Sequence, residues 1–186
     1  MNNSNKYNLY LLNRSKLGLF YRKFYLYPKL SNFLQGAVLD IGCGIGDFIS
    51  YYHNSFGIDV NSENIRYCKS INLQCDLYKY SDYKKYINKF NSFLLDNVLE
   101  HINDPNEILT FINNISKKKD RLVVGVPGLK GYSYDDDHKV FYDLKKLNYV
   151  VSQFNFKYKK HFYTPLNTNI LSKYIKQHCL YAIYEK

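Results

Sequence analysis

Residues 38–48, VLDIGCGIGDF, leave this chain few folds to choose from. Val38 to Ile41 read as a buried strand, glycines stand at the alternate positions 42, 44 and 46, and Asp47-Phe48 open an apolar helix. A strand feeding a glycine-rich turn at the mouth of a parallel sheet is where open α/β folds bind nucleotide-like ligands. Backbone lacking Cβ lets a ligand come close, and amide groups at the next helix start face it. The spacing argues against two familiar occupants. A dinucleotide fingerprint needs its third glycine where Asp47 stands, for close helix–strand packing, and an acid there suits a pyrophosphate poorly. The G-x-x-x-x-G-K-[ST] phosphate cradle is absent.

The rest of the chain reads as support for that corner. Strands are expected over 37–41, 55–59, 71–75 (closing with Asp76-Leu77), 92–95 and 121–126. The last of these is a continuous apolar run bounded by Pro127-Gly128, as suits a strand buried on both faces. Between them, helices are expected from 47 toward 53, from Asn61 or Ser62 to 70 with Glu63 in the first turn, and over 80–90. Another is expected to about 116, opened by Asp104 as N-cap with Pro105 and Glu107 behind it. Alternation of this kind implies right-handed βαβ crossovers and a parallel sheet. After a turn-rich segment at 128–137, a helix over 142–151, a strand over 154–163, a helix over 169–177 and a strand over 179–184 complete an α/β sheet of about seven strands. Its last strand is antiparallel, and helices cover both faces. Residues 1–36 form an amphipathic helical segment, broken near Pro28, within the same domain as 37–186.

The formal net charge of +10 over 186 residues admits two explanations. One is an anionic partner such as nucleic acid, a phosphorylated substrate or a membrane surface. The other is a lysine-rich composition inherited without a binding purpose. The basic N-terminal helix likewise has three readings: packing on the sheet edge with its lysines in water, lining a substrate mouth, or lying on an anionic membrane. Cys43, Cys68, Cys75 and Cys179 show no paired or metal-binding spacing and read as reduced, buried residues. No metal is expected. With no apolar stretch of membrane-spanning length and no signal-peptide core, the expected location is cytoplasmic.

Five pieces in order, VLDIGCGIGDF, GIDV, CDL, DNVLEHINDP and RLVVGVPG, carry a resemblance to class I S-adenosylmethionine (SAM)-dependent methyltransferases of the UbiG/UbiE-like small-molecule kind. The resemblance covers nearly the whole chain and implies a Rossmann-like class I methyltransferase fold, SAM as cofactor and S-adenosylhomocysteine as product. It implies that Asp40, Gly42, Cys43, Gly44 and Gly46 line the methionine end and that Asp59, with Val60 beside it, holds the ribose. Asp76 and Leu77 would meet the adenine, and Asp96 and Asn97 the near edge of the ligand. Each has a plainer structural role to weigh: Asp59 as a helix cap, Asp76 as a turn residue, and Glu100 and His101 as residues that fix their loop and cap the next helix.

The acceptor side rests on residues 132–142, YSYDDDHKVFY, which resemble the D-x-x-H-x-x-x-[FY] segment of relatives that methylate sugars and lipid-linked or small metabolites. His138 is the candidate general base, set against a role in hydrogen-bonding its own loop. The leading expectation is methyl transfer to an oxygen or nitrogen of a small molecule, such as a sugar, nucleotide-sugar or lipid-linked glycan intermediate. The alternatives are an RNA methyltransferase, motivated by lysines interleaved with aromatics at 154–163, and a non-catalytic SAM-binding subunit. The absence of N-P-P-Y or D-P-P-Y after strand four counts against methylation of the adenine amino group.

Overall fold

The structure, a computed structural model, describes residue 11 and residues 15–186. Its strands are β1 (Val38–Ile41), β2 (Ser55–Asp59), β3 (Cys75–Leu77), β4 (Ser92–Asp96), β5 (Arg121–Pro127), β6 (Lys157–Thr164) and β7 (Cys179–Glu185). They form one sheet in the order β3-β2-β1-β4-β5-β7-β6. The pairs among β1 to β5 are parallel, and β7 runs antiparallel to both β5 and β6. This is the expected Rossmann-like architecture, with the reversed strand in place. From β1 the chain winds outward to β3, then returns to lay β4 on the other side of β1. The carboxyl ends of β1 and β4 therefore flank the topological switch point, where ligands of open α/β sheets bind.

Two apolar layers sandwich the sheet. On one face Leu39, Ile41, Phe93, Leu95, Leu122 and Val124 meet α5 (Asn106–Ile115) and α7 (Leu144–Ser152). On the other, Val38, Leu94, Val123 and Ile183 meet α3 (Asp47–Tyr51), α4 (Ser62–Ser70) and the N-terminal helical run. That run consists of α1 (Lys16–Tyr21), a π-helical turn over Arg22–Leu26, and α2 (Tyr27–Ser31). It does not break at Pro28 as expected. The π turn, with the Tyr27 amide bonding the Arg22 carbonyl, comes just before the proline and carries the helix past a residue that has no N–H to give. The part of the N-terminal expectation on 1–10 and 12–14 lies outside the described residues.

Three other expectations change. Residues 71–74 are not strand, because they complete a Schellman cap on α4. Asn72 takes φ +60°, its amide bonds the Lys69 carbonyl (3.1 Å) and the Leu73 amide bonds the Cys68 carbonyl (2.9 Å). The helix expected over 80–90 is a 3₁₀ helix, Tyr80–Tyr86, whose tyrosines at 80, 83 and 86 recur at the three-residue period of that helix. The helix expected over 169–177 is a 3₁₀ helix ending at Lys173. Within the turn-rich segment after β5 lies one short helix, α6 (Leu129–Tyr132). Among the described residues no helix is long and apolar enough to cross a membrane.

Candidate functional site

A cavity of about 210 Å³ opens at the switch point. Of the residues singled out in the sequence, Asp40, Gly42, Cys43, Gly44, Asp96, Asn97 and His138 line it. β1 delivers Asp40 at its third position, β4 delivers Asp96 at its end, and the glycine turn closes the floor between them. The Asp40 carboxyl is 3% exposed, and burial, followed by the nearby Asp96 and Asp59 charges, holds its pKa well above the usual carboxylate range.

Asp96 is the best-held acid of the site. Its Oδ2 pairs with Arg22 Nη1 at 2.9 Å, while its Oδ1 accepts from the Tyr181 hydroxyl (2.7 Å) and from Asn97 Nδ2 (2.9 Å). Asn97 itself takes φ +58°, a conformation asparagine tolerates better than most residues. Arg22 and Tyr27 both line the cavity, so the N-terminal run walls the site as well as packing on the sheet. Leu11, 1% exposed, sits over the glycine turn: a Cβ at Gly44 would lie 3.2 Å from its Cδ1.

Gly46, Asp59, Val60, Asp76 and Leu77 do not line this cavity. Gly46 is a packing glycine at φ +84°, where a Cβ would collide with Leu73 Cδ1. The Asp59 carboxylate accepts from the Gly44 amide (2.8 Å) and the Asn61 amide (2.7 Å), lashing the glycine turn to β2 and to the start of α4. Burial raises its pKa and these bonds oppose the rise. Val60 is exposed beside it, and Asp76 is half-exposed and paired with Lys69 at 3.3 Å. Leu77 is half-buried against the second apolar layer. These four lie at or just beyond the carboxyl ends of β2 and β3.

The far wall is made by a 3₁₀ turn over Leu99–His101 and the loop around His138. Glu100 ties the two together: its main-chain carbonyl accepts from the Lys139 amide (2.7 Å) and the Val140 amide (3.1 Å). Its carboxyl is 1% exposed, and neither oxygen has a hydrogen-bond partner in another residue among the described ones. Burial pushes its pKa to about 8, with the Asp96 and Asp135 charges adding to the rise and its own backbone amide opposing it. His138 Nδ1 donates to the Tyr132 carbonyl at 2.9 Å, which fixes the tautomer of the neutral ring and leaves the Nε2 lone pair 3.9 Å from Glu100 Oε1. Burial, then the adjacent His138, lowers the pKa of His101. Asp104, expected as N-cap of α5, does accept from the Asn106 amide at 3.0 Å. Glu100 and His101 face the cavity rather than that helix start.

Arg22, Tyr181 and the orphaned Glu100 carboxyl were not legible as site features. Arg22 reads locally as one more basic residue of an amphipathic helix, and Tyr181 as one more aromatic of a strand.

Known proteins share this fold. Residues 15–161 match the family described as Methyltransferase domain. A SAM-dependent methyltransferase of Archaeoglobus fulgidus superposes with a TM-score of 0.67 at 19% identity, covering 92% of this chain and 100% of that one. One from Thermotoga maritima superposes with a TM-score of 0.76 at 16% identity, covering 97% of each chain. At such identities the likeness speaks for the fold alone. An uncharacterized protein of Methanocaldococcus jannaschii is 23% identical over 92 residues, which are 50% of this chain and 45% of that protein.

Proposed function

Because the chain belongs to the methyltransferase domain family, we propose that it moves the methyl group of SAM to an oxygen or nitrogen of a small molecule, with a sugar, nucleotide-sugar or lipid-linked glycan intermediate as the leading acceptor. The observation that carries the donor half is the cavity between β1 and β4, where Asp40 and Asp96 present carboxyls beside a glycine turn. That donor set fits a ligand whose amino-acid end carries an ammonium and whose sulfur is a cation. When bound, SAM supplies an electrophilic methyl group on a sulfonium.

The chain's own residues then orient and enclose. Asp40 and Asp96 draw in the cationic end, and Arg22 neutralises one of the two acids until a ligand ammonium competes for it. Asp59 holds the turn in shape, and in this reading it also takes the ribose hydroxyls of the ligand. Leu11 and Tyr27 keep water from the methionine end. In-line displacement from sulfonium gains chiefly from orientation, up to about 7–11 kcal/mol for well-aligned partners. In a metal-free site His138 Nε2 is the group that takes a proton from the acceptor.

Calorimetry with SAM and S-adenosylhomocysteine tests the donor half. Micromolar or tighter binding that weakens in Asp40→Asn is expected, and the absence of heat with either ligand would sink it. A mass-spectrometric screen of acceptors for the mass added when a methyl group replaces a hydrogen then identifies the product.

A further inference from the structure

Three side chains on the far wall of the cavity converge on one point. Glu100, His101 and His138 each bring one ligand-type atom to within 4.8 Å of the other two. A buried carboxyl whose oxygens have no partner in another residue among the described ones is costly, because desolvation is not offset by hydrogen bonds. His138 is set in the way metal-bound histidines usually are: its Nδ1 donates to the Tyr132 carbonyl at 2.9 Å, and its Nε2 lies 3.9 Å from Glu100 Oε1. The His101 ring lies beside it, the two ring centroids 4.7 Å apart. The Glu100 main-chain bonds to 139 and 140 keep the two segments in register.

We propose that Glu100, His101 and His138 bind a divalent first-row transition metal, and that the metal takes the acceptor's hydroxyl at an open coordination position facing the cavity. Two imidazoles and one carboxylate favour zinc, iron, cobalt or manganese over magnesium or calcium, which prefer all-oxygen shells. Three protein ligands with a free position is the arrangement of catalytic rather than structural sites. The inference rests on the methyltransferase reading for the chemistry that follows, and it selects oxygen over nitrogen as the methylated atom. Metal binding acidifies the hydroxyl, whose proton leaves to water at the cavity mouth. The resulting alkoxide attacks the methyl carbon: the O–C bond forms, the C–S bond breaks, and its electron pair stays on sulfur, turning sulfonium into neutral thioether. In this arrangement the His138 lone pair is a ligand and is not used as a base.

The test uses the full chain, stripped with chelator and desalted. Equilibrium dialysis against Zn²⁺, and Co²⁺ titration read by visible absorption, are expected to show one metal per chain. Affinity should fall at least tenfold in Glu100→Gln and in His138→Ala, and stay unchanged in His53→Ala, a change at an exposed histidine away from the cavity. Zn²⁺ should also raise the melting temperature of the parent and not that of His138→Ala, which keeps the test sharp if Glu100→Gln folds poorly. No stoichiometric uptake, or equal uptake by parent and His138→Ala, overturns the site and returns His138 to the role of base. SAM calorimetry on the metal-free parent separates the two readings. Donor binding without metal uptake sinks the metal site alone, whereas metal uptake without donor binding upholds the metal site and sinks the methyltransferase reading.

Discussion

Asp40 sits almost out of water, and its burial, with the Asp96 and Asp59 charges adding to it, raises its pKa, so its ionisation is linked both to folding and to ligand binding. An unfolded aspartate titrates near pH 3.9. Because the folded value is raised, the folded chain holds this proton more tightly than the unfolded one. The associated stability is fully present below about pH 4 and is lost as the pH rises through the folded value. Asp40→Asn removes that linkage. Urea unfolding from pH 4 to 8 should therefore show the variant gaining on the parent as pH rises, and parallel curves would refute the assignment. The same proton opposes a cationic ligand, so SAM affinity of the parent should strengthen over that interval and that of Asp40→Asn stay flat. Asp59 behaves differently, being held by two amides of the turn it organises. Asp59→Ala should cost about 1–3 kcal/mol of stability in addition to weakening SAM binding, because both amides lose a buried acceptor.

At the scale of elements, β5 and β7 do more than complete the sheet. Gly125 of β5 lies opposite Tyr181 of β7, and a Cβ at Gly125 would run into the Tyr181 ring. That close approach lets the ring lie flat on the strand and aim its hydroxyl at Asp96. Gly125→Ala should cost about 1–3 kcal/mol through overpacking and weaken SAM binding together with stability. Tyr181→Phe keeps the ring and loses only the hydroxyl, so calorimetry should show weaker SAM binding with a melting temperature lowered by much less than in Gly125→Ala. SAM affinity unchanged in Tyr181→Phe would mean the hydroxyl has no part in holding Asp96. The edge strand β6 shows another use of sequence. Its lysines, read as a candidate RNA surface, also serve the edge: Lys159 pairs with Glu185 at 2.8 Å and Lys160 lies over the Phe33 ring at 4.4 Å. Exposed charge of this kind discourages edge-to-edge pairing of sheets.

For the molecule as a whole, legibility followed the range of the interactions. β2 and α4 begin and end where local signals put them, because a strand-ending acid and the Asn61 cap, whose Oδ1 accepts from the Glu63 amide at 2.9 Å, act within a few residues. The glycine turn was legible for the same reason. The partners of Asp96 were not, since Arg22 and Tyr181 lie 74 and 85 residues away and meet it only once the sheet has formed. The N-terminal run is another such long-range contribution. Leu26, Tyr27, Leu30 and Leu34 are all buried, at 7% exposure or less, in the layer that also holds Val38, Phe48 and Leu94. At about 1.5–3 kcal/mol for each large apolar side chain removed from water, their burial is comparable to the roughly 5–15 kcal/mol that holds a whole domain folded. Residue 36 therefore marks no physical boundary. A chain beginning at residue 37 should lose the cooperative urea transition of the parent, and it should fail to regain it at saturating SAM because Arg22 and Tyr27 leave with the segment. Recovery of a parent-like transition by 37–186 alone would show that the N-terminal run is an appendage to the fold and not one of its walls.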